Sequence, residues 1–319
     1  MTLAQKIKAN IDMGGINLIL FKIEDKIFRK KNAKAYIYKI LEAADESEYP
    51  KLLSCCYLQR MGRKLNLNNP VTYNEKIQWL KLYDNTPEKT RLADKYLVRE
   101  WVKEKIGEAY LVPLLGVYES FDQINFDDLP NKFALKCNHG SGWNAIVTDK
   151  SKFDKVYWKS KFSEWLRTNY AFCMELEVQY KNISPKIVCE KLIEDNIVDY
   201  RVYCFGGKPE FIKVTQHNLS SPGGYDSGLF YPDWEKCEFD MVQGYGDLDI
   251  DKPEVLDELI RVASILSGNF RFVRVDFYIV KNKLYFSEMT FTPNSGYEQF
   301  KDEQTAVRFG RMINTDRED

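Results

Sequence analysis

The 319-residue sequence predicts an α+β fold that begins with a helical region. Three observations lead to this prediction. Helix start signals and apolar residues at three-to-four spacing dominate the first ninety residues. From about residue 110, short apolar or alternating runs are separated by glycine-bearing turns, which is typical of strands and hairpins. Two further helical patterns, near 154–172 and 253–268, lie between groups of these predicted strands.

Composition argues against several classes of protein. Hydrophobic residues make up 44% and charged residues 29%, so the chain can bury a sizeable core and is not a disordered polymer. The net charge of −1 argues against a dedicated nucleic-acid binder. No apolar run approaches the roughly 18 residues of a membrane span, and the N-terminus lacks the apolar stretch of a signal peptide.

The cysteines and histidines restrict the possible chemistry. Seven cysteines, none in a CxxC pair, are expected to be free thiols in a reducing cytoplasm. Only two histidines are present, His139 and His217, so few side chains are available for a zinc site or for a histidine-based catalytic triad.

Two helix starts are evident before residue 90. Thr72 and Glu75 have the spacing of a capping box, in which each side chain binds the backbone N–H of the other residue. Thr86-Pro87 predicts a second start, and that helix is expected to continue to about Ile106 and to end at Gly107.

The strands are predicted from apolar and alternating runs after residue 110. A hairpin is expected around residues 139–144 and another around residues 206–207. Residues 217–247, rich in Gly, Ser, Pro, Asp and Tyr, are predicted to be irregular, and long segments of this kind are often functional lids. The predicted strands cover residues 111–118, 133–137, 145–148, 187–190, 201–205 and 209–215, with a last hairpin over 272–289.

The last hairpin contains the main candidate site. Apolar and polar residues alternate along its first strand, which places Arg274 and Asp276 on the face opposite the core. If the turn has three residues, 281–283, Asp276 lies opposite Glu288 and Arg274 lies opposite Thr290. Alternation along the returning strand predicts that its side chains at positions 284, 286, 288 and 290 share one face. A two-residue turn would separate the two carboxylates onto opposite faces.

Two carboxylates facing each other across a ladder suggest a cation site. Their Cβ atoms would be roughly 5 Å apart, and like charges at that distance are destabilising unless a cation lies between them. Oxygen ligands without imidazole or thiolate favour Mg²⁺ or Mn²⁺. The alternative is a solvated sheet face with scattered charges.

A lysine and a glycine-bearing loop form a second candidate site. Lys136 lies near a strand end, and the loop after it contains Gly140, Ser141 and Gly142. Backbone N–H groups can approach a phosphate closely where Cβ atoms are absent, and the ammonium supplies charge. An ordinary hairpin loop is the alternative, and His139 is expected to be a loop histidine bonded to backbone.

A third candidate is the acidic turn after the strand over 187–190. Glu190 there could accept a hydrogen bond from the exocyclic amine of an adenine, and Glu194 could contact the ribose. By itself this segment would also fit an ordinary strand end.

In their order and spacing these segments resemble the ATP-grasp superfamily and, within it, the TupA-like family. The resemblance covers about residues 50–310. It is based on NPVTYNEKIQWL at 69–80, ADKYLVR at 93–99, FALKCNHGSG at 133–142, VRVDFY at 273–278 and SEMTFTPNSG at 287–296.

The resemblance implies an ATP-grasp fold, in which two α+β subdomains clamp a nucleotide. The subdomains are expected at residues 89–186 and 187–312, after a helical region at 1–88 and before a polar tail at 313–319. The resemblance implies that Lys95 and Lys136 bind the ATP phosphates, that residues 140–142 form a phosphate lid, and that Glu190, Lys191 and Ile193 contact the adenine. It also implies that Asp276 and Glu288 bind Mg²⁺ and that Arg274 stabilises the transferring phosphoryl group. Lys213 is expected to lie in the same cleft.

The sequence departs from the family pattern at two points. Many ATP-grasp proteins have Asn two residues after the metal-binding Glu, whereas this chain has Thr290. Thr290 is expected to supply an oxygen there, or Asn294 to complete the site. The usual N-terminal Rossmann-like domain, which often helps to bind the acceptor, is not evident in residues 1–90.

The chemistry that the resemblance implies is ATP-dependent ligation through an acyl phosphate, with ADP and phosphate released. The expected partners are ATP, a uronic-acid-type saccharide carboxylate and an amino acid or amino sugar, in cell-surface polysaccharide biosynthesis. The glycine loop and residues 217–247 are candidate lids that exclude water. Two alternatives are a phosphotransferase with the same nucleotide site and a non-catalytic polysaccharide-assembly protein whose ATP site has decayed.

The N-terminal region also raises the question of membrane contact. The apolar run at 16–21 is followed by Lys22, Lys26, Arg29, Lys30 and Lys31, a pattern compatible with peripheral binding to an anionic membrane surface. The sequence favours the other interpretation, a helix packed on the domain with a solvated basic face.

Overall fold

The computed structural model describes residues 2–28, 32–195, 197–218, 224–242 and 248–316. The helices in these ranges are α1 (Leu3–Phe28), α2 (Asn32–Ala43), α3 (Tyr49–Met61), α4 (Tyr73–Tyr83), α5 (Pro87–Ala93), α6 (Val98–Lys105), α7 (Lys155–Leu166), α8 (Leu256–Ser267) and α9 (Glu303–Arg311). The strands are β1 (Leu114–Tyr118), β2 (Phe133–Cys137), β3 (Asn144–Val147), β4 (Ile187–Lys191), β5 (Asp199–Phe205), β6 (Lys208–His217), β7 (Tyr225–Phe230), β8 (Phe272–Val280) and β9 (Lys283–Thr290). None of the described helices is both long enough and apolar enough to cross a bilayer.

Helix α1 is broken at Gly14–Gly15, and its two arms fold back on each other. Gly15 has a φ of 63°, which favours glycine. In the second arm, Lys22 donates a 2.8 Å hydrogen bond to Oδ1 of Asn10 in the first arm. These residues would be about 18 Å apart along a straight helix, beyond the reach of the two side chains. Residues 3–28 therefore form an N-terminal helical hairpin.

The capping box at Thr72 and Glu75 is confirmed at the start of α4. The predicted helix over 86–106 is wrong in one respect, because α5 ends at Ala93 and α6 begins at Val98. Between them, the Asp94 carboxylate accepts hydrogen bonds from the backbone N–H groups of Tyr96 and Leu97, which starts a new helix. The backbone N–H of Lys95 instead donates to the carbonyl of Asn138, so the break ties Lys95 to the end of β2.

The strands form two antiparallel sheets. The first has the order β1-β4-β2-β3 and the second has the order β7-β6-β5-β8-β9. The hairpins predicted around 139–144 and 206–207 are confirmed as β2–β3 and β5–β6. The prediction that 217–247 is irregular is wrong in part, since β7 pairs with β6. Residues 219–223 and 243–247 of that candidate lid lie outside the described residues.

The turn between β8 and β9 has two residues, so the three-residue prediction is wrong. Lys281 and Asn282 both have positive φ, at 52° and 58°, as a tight hairpin turn requires. The ladder pairs Val280 with Lys283, but its register shifts between Phe277 and Asp276. This shift is a β-bulge that adds one residue, Ser287, to β9.

The bulge restores the carboxylate pairing that a two-residue turn would otherwise have prevented. Phe277 pairs with Phe286, yet Asp276 pairs with Glu288 and Arg274 with Thr290, as predicted. The prediction that positions 284, 286, 288 and 290 share one face is wrong, because Leu284 and Phe286 belong to the core whereas Glu288 binds polar groups outside it.

The second sheet is covered differently on its two faces. On one face, α8 and buried aliphatic residues of β5, β6, β8 and β9 form the main core, which continues into the N-terminal helices. On the other face, α4 and α9 cover one end of the sheet with an aromatic cluster that includes Tyr73, Phe205 and Phe309. The rest of that second face has polar side chains, and Lys95 from another part of the chain approaches Glu288 on it; the region between them is named the cleft. All seven cysteines are free, as expected.

A close approach of α9 to the chain before α4 leads to a stability prediction. A Cβ atom added to Gly310 would lie 2.1 Å from the carbonyl oxygen of Val71 and 2.8 Å from the carbonyl carbon of Thr72. At an exposed position in a helix interior, replacing Gly by Ala would raise the free energy of unfolding by about 1 kcal/mol. Here we expect Gly310→Ala to lower the free energy of unfolding by about 1–3 kcal/mol, since both neighbours are backbone atoms.

Urea unfolding of the wild type, Gly310→Ala and the control Gln304→Ala measures this effect. Gln304 is exposed in the same helix and should tolerate alanine. A Gly310→Ala protein as stable as the wild type would contradict the close packing.

Candidate functional site

A row of charged residues crosses the open face of the second sheet. The registers pair Lys213 of β6 with Arg201 of β5, Arg201 with Asp276 of β8, and Asp276 with Glu288 of β9. The strand neighbours of Asp276, Val275 and Phe277, belong to the main core. Because successive side chains of a strand alternate between faces, this charged row lies on the cleft side.

The guanidinium of Arg274 neutralises the two facing carboxylates. Its Nε donates to Oδ1 of Asp276 at 2.7 Å and its Nη2 donates to Oδ2 at 2.6 Å. The same Nη2 is 3.5 Å from Oε1 of Glu288 and donates to Oγ1 of Thr290 at 3.2 Å. The repulsion expected for the carboxylate pair is therefore offset within the protein.

The two carboxylates have opposite pKa shifts. Burial raises the pKa of Asp276 to about 6, although the charge of Arg274 acts in the other direction. Burial would also raise the pKa of Glu288, but the nearby cations Lys95 and Arg274 outweigh it and lower the pKa to about 2. Glu288 is therefore ionised throughout the neutral range, with a lysine from another part of the chain as its partner.

Lys95 connects the glycine-bearing loop to the charged row. Its Nζ lies 3.0 Å from Oε2 of Glu288 and donates a 2.7 Å hydrogen bond to the carbonyl of Gly140. Gly140 itself is buried, and a Cβ there would meet the ring of Tyr170 at 2.7 Å. Ser141 and Gly142 are exposed at the tip of the loop.

Lys136 on β2 is held by a carboxylate of the first sheet. Its Nζ donates to Oε2 of Glu190 at 2.8 Å, and Arg99 of α6 donates to Oε1 of the same Glu190 at 3.0 Å. Burial disfavours the charged form of Lys136, but the negative charge of Glu190 outweighs this and raises its pKa above the ordinary value. Glu288 also contributes to that shift, so the amine of Lys136 lies within electrostatic range of the charged row.

In the predicted adenine-binding segment, some polar groups are already engaged within the protein and others are exposed. Both carboxylate oxygens of Glu190 are engaged by cations, and the backbone N–H of Lys191 donates to the carbonyl of Pro113 at 2.9 Å. Ile193 is half-buried and Glu194 is exposed. Adenine contacts by these residues stay a prediction. His139 bonds the backbone carbonyl of Trp165 at 3.1 Å, which confirms the expected backbone contact.

The oxygen donors fit a divalent cation that also binds phosphates. Asp276 and Glu288 face each other, and Oγ1 of Thr290 lies 3.3 Å from Oε1 of Glu288. Within the described ranges, no group of three or more His, Cys, Asp or Glu could hold a metal ion. Mg²⁺ usually binds one or two carboxylates and takes its other oxygens from phosphates and water, so a pair is sufficient. Asn294, the alternative donor, is exposed.

The sequence interpretation missed two basic residues of this cleft, Arg201 and Arg99. Arg201 binds Oδ2 of Asp199 at 3.0 Å and lies in the charged row. The alternation of Asp199 and Arg201 with buried Tyr200 and Val202 was an available signal, of the same kind as that at Arg274 and Asp276. Arg99 bonds a carboxylate from a distant strand, which no local pattern indicates.

Lys213 and Thr215 of β6 offer unused polar groups on the cleft face. Lys213 is only 8% exposed, yet no hydrogen bond or ion pair from the described residues engages its amine. Burial lowers its pKa. The hydroxyl of Thr215 is likewise buried and lacks a partner among the described residues. Buried polar groups without partners are rare and suggest a ligand.

A buried network supports the segment that follows β9. Lys81 of α4 donates to Oγ of Ser295 at 2.6 Å and to the carbonyl of Glu175 at 3.0 Å. Glu177 accepts a 2.5 Å hydrogen bond from Thr292. These bonds hold residues 292–295 and so the end of the strand that bears Glu288.

Glu177 should make stability depend on pH. Burial raises its pKa to about 7, while the charge of Lys81 opposes the shift. Because the folded-state pKa exceeds the unfolded value, the stabilisation is complete below about pH 4.5 and is lost as pH rises through 7. We expect Glu177→Gln to gain stability relative to the wild type between pH 5 and pH 8, by roughly 2 kcal/mol.

Urea unfolding at both pH values, with the exposed Glu104→Gln as control, measures the difference. The lost hydrogen bond to Thr292 changes the stability at both pH values. The lower pKa that Lys81 would have without Glu177 acts in the same direction as the expected gain between pH 5 and pH 8. Parallel pH profiles for Glu177→Gln and the wild type would contradict the buried carboxyl.

Comparison with known families shows that this chain is an ATP-grasp protein and identifies the branch. The profile of the family described as TupA-like ATPgrasp matches residues 75–314. The chain therefore belongs to the TupA-like ATP-grasp family, as the resemblance implied. No curated protein sequence matches the chain.

Solved structures similar to this chain include several ligases. D-alanine–D-alanine ligase from Bacillus anthracis has 16% identity and a TM-score of 0.40, with 69% of this chain and 60% of that chain covered. The corresponding ligase from Helicobacter pylori has 14% identity and a TM-score of 0.42, covering 77% and 68%. L-amino acid ligase from Bacillus licheniformis has 12% identity and a TM-score of 0.45, covering 79% and 56%. The chain thus spans about six-tenths of the length of these ligases.

Proposed function

We propose that this protein is an ATP-dependent carboxylate–amine ligase that acts in the cytoplasm on cell-surface polysaccharide precursors. The observation that supports this proposal is that charges distant in sequence come together, since Lys95 lies 3.0 Å from Glu288 and Glu288 also acts electrostatically on Lys136. Two cations and two carboxylates around one cleft suit a nucleotide triphosphate with a divalent cation.

Nucleotide binding would use both sheets. Lys95 and Lys136 would bind the phosphates, and residues 140–142 would cover them. The segment that contains Glu190, Lys191, Ile193 and Glu194 would contact the adenosine. The clamp would consist of subdomains at residues 89–186 and 187–312.

Asp276 and Glu288, with Thr290, would hold Mg²⁺ or Mn²⁺. Such an ion supplies charge neutralisation to the phosphate oxygens when it is bound. Arg274 would then be free to redirect its guanidinium from Asp276 to the transferring phosphoryl group. One of the similar structures, the D-alanine–D-alanine ligase of Bacillus anthracis, was also solved complexed with ATP.

The acceptor would bind beside Lys213 and Arg201. The unengaged amine of Lys213 and the guanidinium of Arg201 suit a carboxylate, and they adjoin Asp276 in the charged row. A cavity of about 560 Å³ next to Lys213 is lined by three lysines in all and by two acidic residues, Glu238 and Asp240. The excess of one positive charge, together with the unengaged amine of Lys213, supports an acidic saccharide of uronic-acid type as the acceptor.

The reaction would proceed in two balanced steps. An acceptor carboxylate oxygen attacks the γ-phosphorus, the bond to the β-phosphate oxygen breaks, and ADP leaves. The amine nitrogen then attacks the acyl carbon, phosphate leaves, and the amine releases a proton to water. Lys95, Lys136 and Arg274 stabilise the charge of the transferring group, so no nucleophilic side chain is needed.

Product analysis tests this function. Purified protein with ATP, Mg²⁺, uronic acids and a panel of amino acids and amino sugars should yield an amide, ADP and phosphate in equal amounts by mass spectrometry. Lys213→Met should raise the KM for the acceptor about tenfold or more through the lost charged contact, while Lys208→Met, exposed on the same strand, should not. A phosphorylated acceptor without amide would instead show phosphotransfer, and failure to bind ATP would show a non-catalytic protein.

A further inference from the structure

The N-terminal helical hairpin, residues 3–28, exposes more apolar surface than its packing requires. It lies outside the range that the family profile matches. Its inner face buries Ala9, Met13 and Leu18. Its outer surface has six large aliphatic side chains that are 41–74% exposed, namely Leu3, Ile7, Ile11, Ile16, Leu20 and Ile23.

These exposed residues form one stripe on each arm of the hairpin. Leu3, Ile7 and Ile11 are four residues apart on the first arm, and Ile16, Leu20 and Ile23 are four and three apart on the second. Both spacings place side chains on one face of a helix. Contiguous exposed apolar stripes, unlike single exposed residues, indicate an interaction surface.

The N-terminal region that contains the stripes is positively charged, and most of the excess follows the hairpin, whose own four Lys and three Asp or Glu give a net charge of +1. Residues 1–40 contain nine Lys or Arg and three Asp or Glu, a net charge of +6 in a chain whose total is −1. Lys6, Lys8 and Lys26 of the hairpin are exposed, as is Lys34 at the start of α2. An apolar stripe bordered by lysines is complementary to a surface with acyl chains beneath anionic headgroups.

We propose that the N-terminal helical hairpin docks this protein on an anionic lipid bilayer. Its aliphatic stripes enter the interfacial region, and its lysines contact lipid phosphates. The hairpin lies on the bilayer, since none of the described helices can cross it. A second copy of the chain is a poorer occupant, because pairing two hairpins would bring together two N-terminal regions, residues 1–40, that each have a net charge of +6.

Vesicle flotation of the full-length protein tests this proposal. One set of vesicles is phosphatidylcholine, and the other is phosphatidylcholine and phosphatidylglycerol in equal parts. We expect flotation with the anionic vesicles only, and its loss in high salt. The double variants Ile16→Asp/Leu20→Asp and Ile7→Asp/Ile11→Asp should each reduce the bound fraction about tenfold or more, since each adds two charges where apolar groups enter.

The matched control is Ile146→Asp/Val156→Asp, which changes two exposed aliphatic residues outside the hairpin. It should float like the wild type. All six altered positions are exposed, and circular dichroism with thermal unfolding verifies the fold of each variant.

Three outcomes would overturn the proposal. They are equal flotation with both kinds of vesicle, flotation that neither hairpin variant reduces, and a dimer in analytical ultracentrifugation that the hairpin variants dissociate while vesicles bind nothing. None of these measurements uses ATP, so the proposed ligase activity stands or fails separately.

Discussion

Glu288→Gln should reduce ATP turnover about 100- to 1,000-fold, the range seen when one group that stabilises transition-state charge is removed. The substitution keeps the size of the side chain and removes its charge. Because Glu288 has a pKa of about 2, the wild-type group is ionised at every working pH. The variant would therefore lose one of two carboxylates proposed to hold the divalent cation, as well as the ion pair with Lys95.

Coupled measurement of ADP release at saturating Mg²⁺ gives the turnover. Asp276→Asn should have an effect of similar size, but it also removes the partner of a buried arginine, so its thermal stability must be compared. Glu104→Gln, an exposed carboxylate on α6, is the control. Wild-type turnover in Glu288→Gln would refute the proposed cation site.

Lys136→Met should weaken ATP binding about 10- to 100-fold, as expected for a lost charge-assisted contact to phosphate. The methionine keeps much of the length and volume of the buried side chain. The variant would also leave Glu190 with Arg99 as its remaining cationic partner among the described residues. Isothermal titration with ATP and Mg²⁺ measures the affinity.

The matched control for this variant is Lys132→Met. Lys132 lies just before the same strand and forms an exposed ion pair with Asp195, so its replacement should leave ATP affinity unchanged. Equal affinities for Lys136→Met and Lys132→Met would mean that Lys136 serves only to neutralise Glu190.

Most elements were predictable because their signals are local. The capping box at Thr72 and Glu75 and the glycine-bearing hairpin turns depend on neighbouring residues, and each was confirmed. The break between α5 and α6 was missed because Asp94 competes with helix continuation through its own side chain, an outcome that helix spacing does not reveal. Strand β7 was missed since its Gly- and Ser-containing sequence is stabilised by pairing with β6.

The candidate site was predictable to the extent that it depends on alternation within strands. The pairing of Asp276 with Glu288 was predicted correctly from a wrong turn, because a three-residue loop and a two-residue loop with a bulge give the same offset. Arg201 and Arg99 were not predicted as site residues. Their positions depend on which strands and helices become neighbours, and one sequence read locally does not contain that information.

The bulge at Ser287 has a consequence for related chains that differ in length. Deleting this residue alone would leave Phe286 opposite Phe277 and Glu288 opposite Asp276, now through an unbroken ladder. Deleting Phe286 would instead put a serine into the core. A one-residue deletion in this hairpin should therefore be tolerated at position 287 and selected against at the neighbouring positions. In an alignment of relatives, a gap at position 287 would indicate a shorter hairpin that still preserves the acidic pair.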